Sequence, residues 1–140
     1  MAPAWASGTA IDPHLAQAWR HAGYWPDRLI TDDLDTHAAS RPERIAFVDS
    51  RRSIRYDQLQ HESFSLADAL KQQGVASGDV VAVQWPNWIE FAVMHLALVR
   101  LGAVIAPITP MSRQREISAM LRISQAKWLA VVDQFRGFDH

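Results

Sequence analysis

The amino-acid sequence predicts an α/β protein with a parallel βαβαβ sheet that is preceded by helices and a β-hairpin. Three short apolar runs, residues 80–84, 104–108 and 128–132, begin at a constant spacing and have the length of buried strands. Helical patterns over residues 87–101 and about 113–124 fill the two gaps. Strands that alternate with helices in this way form parallel sheets with right-handed crossovers.

The chain before the sheet carries two helix signals. Asp12 and Pro13 are an N-cap and a first-turn proline, and Gly23 provides a stop. A second helix is expected to begin at Thr31, whose hydroxyl is the predicted cap, and to end at Pro42. Its first turn holds three carboxylates that suit the positive end of the helix dipole, those of Asp32, Asp33 and Asp35.

A hairpin and a third helix follow. Residues 45–49 and 53–56 are predicted to pair across a short turn. From Asp57 the apolar spacing becomes helical, and Gly74 marks the end of that helix.

The helix after the first sheet strand is apolar on nearly every side, so it should be covered by other structure. Asn87, with Glu90 three residues later, predicts a capping box at its start. Gly102 supplies the stop, because a glycine readily takes the left-handed conformation that ends a helix.

Composition excludes several classes of protein. The 140 residues suit a single domain, and the formal net charge of −1 gives no electrostatic case for nucleic acid as a partner. There is no cysteine, which excludes disulfides and thiolate chemistry. The most apolar window, residues 80–101, contains charged residues and a proline, so no transmembrane segment is predicted. With no signal peptide visible, the expected location is cytoplasmic.

No catalytic, cofactor-binding or metal-binding residue is assigned from the sequence. The glycines form no phosphate-binding motif and read as helix stops or turns. The three aspartates near Thr31 favour a helix cap over a metal cluster, and the arginines at 113, 115 and 122 favour a solvated face. His14 and His21 could share a helix face, but no third ligand for a metal ion accompanies them. His95 lies in a nearly all-apolar helix and is interpreted as a hydrogen-bonded core histidine.

Trp85 and Trp88 flank the Pro86-Asn87 turn at the carboxyl end of the first sheet strand. Parallel α/β proteins place ligands at that edge. Packing of the strand-to-helix corner is nevertheless the favoured role, since large aromatic side chains mostly supply core area.

Several segments, in order and at matching spacing, resemble the opening of the AMP-forming acyl-CoA synthetases and related adenylating enzymes. The resemblance begins at about Pro42 and includes a Tyr-x-x-Leu helix start, a Gly-Asp-x-Val strand, a Pro-Asn turn, a Gly-Ala-Val exit and a Pro-x-x-Pro turn. These lie at Tyr56–Leu59, Gly78–Val81, Pro86–Asn87, Gly102–Val104 and Pro107–Pro110. The closing residues 135–139 look most like the branch that uses medium-chain or alicyclic acids, with aryl-acid ligases nearby.

This resemblance implies a two-step ligase that uses a carboxylic acid, ATP with Mg²⁺, and CoA. In the family the groups that hold ATP lie downstream of the position equivalent to His140, and no residue here matches them. Residues 31–140 are therefore expected to be an incomplete AMP-binding synthetase N-terminal domain that is inactive alone. Residues 1–30, which precede it, are expected to be a leader with a short helix.

A stand-alone interaction or regulatory module derived from that family is the alternative. A flavodoxin-like binding protein is disfavoured, because it needs a phosphate-binding loop after a strand. The apolar strand at residues 128–132 leaves an open sheet edge, which predicts self-association.

Overall fold

A computed structural model describes residues 11–135 and 138–139. Of the predicted leader, residues 1–30, the first ten lie outside this range. The chain before the sheet folds as two helices, a hairpin and a long helix: α1 (Pro13–His21), α2 (Ile30–Ser40), β1 (Ile45–Val48), β2 (Ser53–Arg55) and α3 (Tyr56–Gln72). Asp12 caps α1 as predicted, since its side chain accepts a hydrogen bond from the backbone N–H of His14.

The second half forms the predicted parallel sheet. Its elements are β3 (Val80–Gln84), α4 (Ile89–Leu101), β4 (Val104–Pro107), α5 (Gln114–Ser124) and β5 (Trp128–Val131). The strand order is β4-β3-β5, and Val81 of the central strand pairs with Ile105 on one side and Trp128 on the other. A two-stranded antiparallel pair follows, β6 (Gln134–Phe135) and β7 (Phe138–Asp139), which the sequence pattern did not predict.

Helix α4 is buried on two sides, which confirms that its nearly uniform apolar surface is covered. Met94 and Leu98 pack on Val81 and Val83 of the sheet. Its opposite side, which includes Val93, packs in a second cluster with residues of α2, β2 and α3. Gly102 ends the helix with φ of 68°, as predicted.

A mostly buried ion pair connects α4 to α2. The Arg100 side chain is only 9% exposed, and its guanidinium donates to both carboxylate oxygens of Asp35 and to the hydroxyl of Ser63 on α3. These hydrogen bonds hold the pKa of Asp35 below its usual range. The pair therefore fixes how the three helices lie against one another.

Two predicted helix caps are wrong. Helix α2 begins one residue before Thr31, which is buried inside the helix, and the Asp32 carboxylate accepts the Leu29 N–H at 2.9 Å instead. Helix α4 begins at Ile89, because residues 86–88 are used in a turn in which the Trp88 N–H donates to the Pro86 carbonyl. Asn87 is therefore outside the helix and does not cap it.

The cap of α4 comes from the hairpin. One oxygen of the Asp49 carboxylate accepts the Ile89 N–H at 2.9 Å, and the other accepts the N–H groups of Arg51 and Arg52 at 2.8 and 2.9 Å. These three backbone hydrogen bonds lower the pKa of Asp49 to about 2. The hairpin turn is thereby attached to the start of α4.

Helix α5, which connects β4 to β5, is poorly buried. None of its residues is buried, and Ile123 is 77% exposed. Leu129 and Val131 of β5 are also exposed. Among the described residues, β4 and β5 each pair with another strand on one side only, so both outer edges of the sheet are open.

Replacing Leu98 by alanine tests whether burial of α4 dominates stability. Leu98 is 0% exposed, so Leu98→Ala should lower the free energy of unfolding by about 2–5 kcal/mol in urea denaturation. Ile123→Ala is the matched control and should change it by less than about 0.5 kcal/mol. Equal losses in the two variants would contradict the packing described for α4.

Asp49→Asn tests the cap between the hairpin and α4. The pKa of Asp49 is about 2 in the folded chain, whereas the usual value is 3.8. The ionised carboxylate therefore stabilises the fold fully at pH values above 3.8. This stabilisation should be lost as the pH falls toward 2. The difference in free energy of unfolding between the wild type and Asp49→Asn, measured by urea denaturation, should therefore shrink as the pH is lowered from 3.8 toward 2. A constant difference for Asp49→Asn would exclude the cap.

Candidate ligand crevice at the carboxyl edge of the sheet

The carboxyl ends of β3 and β4 border an open crevice of about 420 Å³. The chain leaves β3 through α4 to reach β4 on one side, and later reaches β5 on the other side of β3. Such a reversal of strand order is where open α/β sheets bind ligands. The crevice is lined by Trp85, Pro86, Asn87, Phe91, Pro107, Ile108, Thr109, Pro110, Met111 and Phe135.

A buried amide holds one wall of this crevice. Gln84, the last residue of β3, is 0% exposed, and its Nε2 donates to the backbone carbonyls of Thr109 and Ser112 at 3.2 and 2.9 Å. The loop after β4 is therefore fixed to the central strand. The sequence analysis missed this residue, although a glutamine that closes a five-residue apolar run is a usable signal.

Two polar atoms at this corner are buried and unpaired. Within the described residues, neither Gln84 Oε1 nor Trp85 Nε1 has a hydrogen-bond partner. An unpaired buried donor or acceptor costs ~1–3 kcal/mol, so each is a position where a ligand, a water or a further protein segment would be stabilising.

The two tryptophans of the corner have different surroundings. The guanidinium carbon of Arg51 lies over the Trp88 ring, 4.0 Å from the ring centre. Trp88 also packs edge-on against Phe135, with 5.9 Å between the two ring centres. Trp85 packs against the core and also lines the crevice. The predicted packing role is thus confirmed for both tryptophans. Trp85 in addition forms part of the crevice wall.

The crevice contains no charged side chain among the residues that line it. Its polar groups include the Asn87 amide and the Thr109 hydroxyl. These residues do not fit Mg²⁺ with a triphosphate, which requires positive charge and carboxylate ligands. Across residues 11–135, no three His, Cys, Asp or Glu side chains lie close enough to hold a metal ion.

The aspartates predicted to form a helix cap have separate partners. Asp32 accepts the Leu29 N–H, Asp33 pairs with Arg28, and Asp35 pairs with Arg100. Only Asp32 acts as a cap. The alternative of a metal cluster has no support, since the three carboxylates serve different contacts.

The histidines are dispersed. His14 and His21 are exposed at opposite ends of α1. His95 is half-buried and, within the described part of the chain, has no hydrogen-bond partner, so the interpretation as a hydrogen-bonded core histidine is wrong. It lines a second cavity between α2 and α4. The arginines at 113, 115 and 122 are exposed, as predicted.

Of the helices in the described residues, none combines the length and apolar character needed to cross a lipid bilayer.

Comparison with known proteins identifies the family. The family model for AMP-binding enzymes matches residues 34–139. A medium-chain fatty-acid–CoA ligase of Escherichia coli is 38% identical over 111 residues, which are 79% of this chain and 20% of the ligase. A salicyl-AMP ligase of Mycobacterium tuberculosis is 34% identical over 130 residues, which are 89% of this chain and 23% of that protein.

A solved structure agrees with the fold. The apo structure of MbtA from Mycobacterium smegmatis superposes with a TM-score of 0.82 at 34% identity, and the match covers 92% of this chain and 24% of that one. The chain thus spans about a fifth to a quarter of the length of these relatives. The parallel sheet, the hairpin that precedes it and the sequence matches agree, and the chain belongs to the family of AMP-binding, adenylate-forming enzymes.

Proposed function

We propose that this chain is the N-terminal part of an ATP-dependent acid–CoA ligase of the cytoplasm, with residues 1–30 as a leader and residues 31–140 as part of the AMP-binding domain. The observation that carries the proposal is the family match over residues 34–139, together with 38% identity to a medium-chain fatty-acid–CoA ligase. Relatives named for salicylate and pyochelin synthesis make an aryl acid the second candidate substrate.

The proposed reaction has two steps. A carboxylate oxygen of the acid attacks the α-phosphorus of ATP, which gives an acyl-adenylate and releases pyrophosphate. The thiol of CoA then attacks the acyl carbonyl carbon, and AMP leaves. Both steps need positive charge around the phosphates, which the residues of the crevice do not provide.

The contribution of this chain is therefore a scaffold. Gln84 and Asp49 fix the loops on the two sides of the crevice, since one binds the segment after β4 and the other binds the start of α4. Phosphate binding falls to parts of the enzyme other than the residues that line this crevice.

ATP–pyrophosphate exchange tests this division of labour. The purified chain should give no exchange above the buffer rate with octanoate, cyclohexanecarboxylate or salicylate, because the residues that line the crevice supply no positive charge for the triphosphate. The complete E. coli relative, assayed in parallel, is the positive control. Exchange by the chain itself would contradict the proposal.

Self-association distinguishes a part of an enzyme from a stand-alone module. The apolar edge at β5 should make the average mass in sedimentation equilibrium rise with protein concentration. Leu129→Lys should restore the monomer, whereas Leu15→Lys, which also replaces an exposed apolar residue but on α1, should not. A wild-type chain that stays monomeric and melts cooperatively would favour the interaction module.

A further inference from the structure

A second cavity, of about 390 Å³, lies between α2 and α4 and is bounded by β1 and the start of α3. Three leucines that are at most 7% exposed, Leu34, Leu59 and Leu96, contribute to its apolar lining and belong to the core. The volume is within the range of small-molecule sites. The cavity can therefore hold the apolar body of a small organic molecule.

Aromatic rings from all four surrounding elements also line this cavity. Phe47 comes from β1, Tyr56 from α3 and Phe91 from α4. The Tyr56 ring makes an edge-on contact with the His37 imidazole of α2, with 5.0 Å between the two ring centres. The faces of phenyl and phenol rings carry partial negative charge and attract cations.

The formal charge of the lining is also negative. Asp33 is the only Asp, Glu, Lys or Arg among the residues that line the cavity, and Arg28 and Arg41 lie outside that lining. One oxygen of the Asp33 carboxylate accepts a hydrogen bond from Arg28, and the other has no hydrogen-bond partner within the described residues. Both side chains of this ion pair are more than half exposed, so solvent screens their attraction and the carboxylate remains available to a second cation.

The uncharged polar groups of the cavity supply hydrogen-bond acceptors. In the part of the chain that the structure describes, neither the His95 imidazole nor the Tyr56 hydroxyl has a hydrogen-bond partner. A neutral imidazole has one acceptor nitrogen, and a phenol oxygen accepts as well. A primary ammonium group carries three donors and no acceptor, so it matches these two groups and the carboxylate of Asp33. A second carboxylate in this place would be repelled by Asp33.

We propose that this cavity binds a small apolar primary amine in its ammonium form. The apolar body of the amine packs on the three leucines and on the surrounding rings. Its ammonium group donates to Asp33, with His95 and Tyr56 as further acceptors. The inference does not depend on the proposed ligase activity.

Titration with hexylamine tests the proposal, with 1-hexanol and hexanoate as probes that have the same chain length and a different head group. At about pH 7.5 the amine is protonated and the acid is ionised. In ¹H–¹⁵N NMR spectra of the ¹⁵N-labelled chain, hexylamine should cause saturable shifts in α2, β1 and α4. Its affinity should exceed that of 1-hexanol about tenfold, because the ammonium gains a charge-assisted hydrogen bond, and hexanoate should bind more weakly than 1-hexanol. Shifts that do not saturate, or an affinity for hexylamine no higher than for the other two probes, would overturn the proposal.

A pair of charge variants tests the role of the carboxylate. Asp33→Asn keeps the size of the side chain and removes its charge, so it should lower the affinity for hexylamine about tenfold and leave that for 1-hexanol unchanged. Asp27→Asn is the matched control, since Asp27 is also exposed and paired with an arginine, Arg20, but does not line the cavity. Undiminished hexylamine binding in Asp33→Asn, or an equal loss in Asp27→Asn, would refute the proposed contact.

A variant that fills the cavity tests the location. Ala92→Phe introduces a ring from α4 and should abolish the hexylamine shifts, whereas Met111→Phe, in the crevice, should leave them unchanged. Retained binding in a folded Ala92→Phe would place the amine elsewhere and contradict the proposal. If Ala92→Phe does not fold, the comparison of Asp33→Asn with Asp27→Asn decides, because both substitutions are at exposed positions.

Discussion

The architecture depends on one constraint, the burial of a helix that is apolar on nearly every side. A helix of that kind is stable in water only when two layers cover it. In α4, Met94 and Leu98 face the sheet, while Val93 belongs to the cluster formed with α2, α3 and the hairpin. The hairpin, α2 and α3 therefore serve as the second cover of the sheet's crossover helix. A two-stranded hairpin is marginal alone, and packing against α4 is what stabilises it.

Polar side chains complete this layered packing at the ends of elements. Asp49 reaches from the hairpin to the start of α4, and Gln84 reaches from β3 to the loop after β4. Asp79, just before β3, accepts hydrogen bonds from Lys127 and the Trp128 indole at the start of β5. Each of these side chains forms hydrogen bonds with backbone or side-chain groups that are distant in sequence, Asp49 and Asp79 as acceptors and Gln84 as a donor. They set the positions of loops that apolar packing leaves undetermined.

The sequence alone was sufficient to predict the strands and helices of the sheet, but it was insufficient to predict these polar contacts between elements. Strand and helix periodicity located β3, α4, β4, α5 and β5 to within about two residues, because period and burial are local properties of the chain. The capping prediction at Asn87 failed because the cap comes from Asp49, which lies forty residues before the capped Ile89. The cavity beside His95 was missed for the same reason, since helices and a hairpin that are separate in sequence form its walls. The short pair β6–β7 has too few residues to carry a periodic signal.

Phe91, in the first turn of α4, lines both the crevice and the cavity between α2 and α4. A molecule on either side that selects one rotamer of this ring also reshapes the wall presented to the other side. Thermodynamic linkage makes such an effect reciprocal, so the two spaces would communicate through a single phenyl ring without any movement of the backbone.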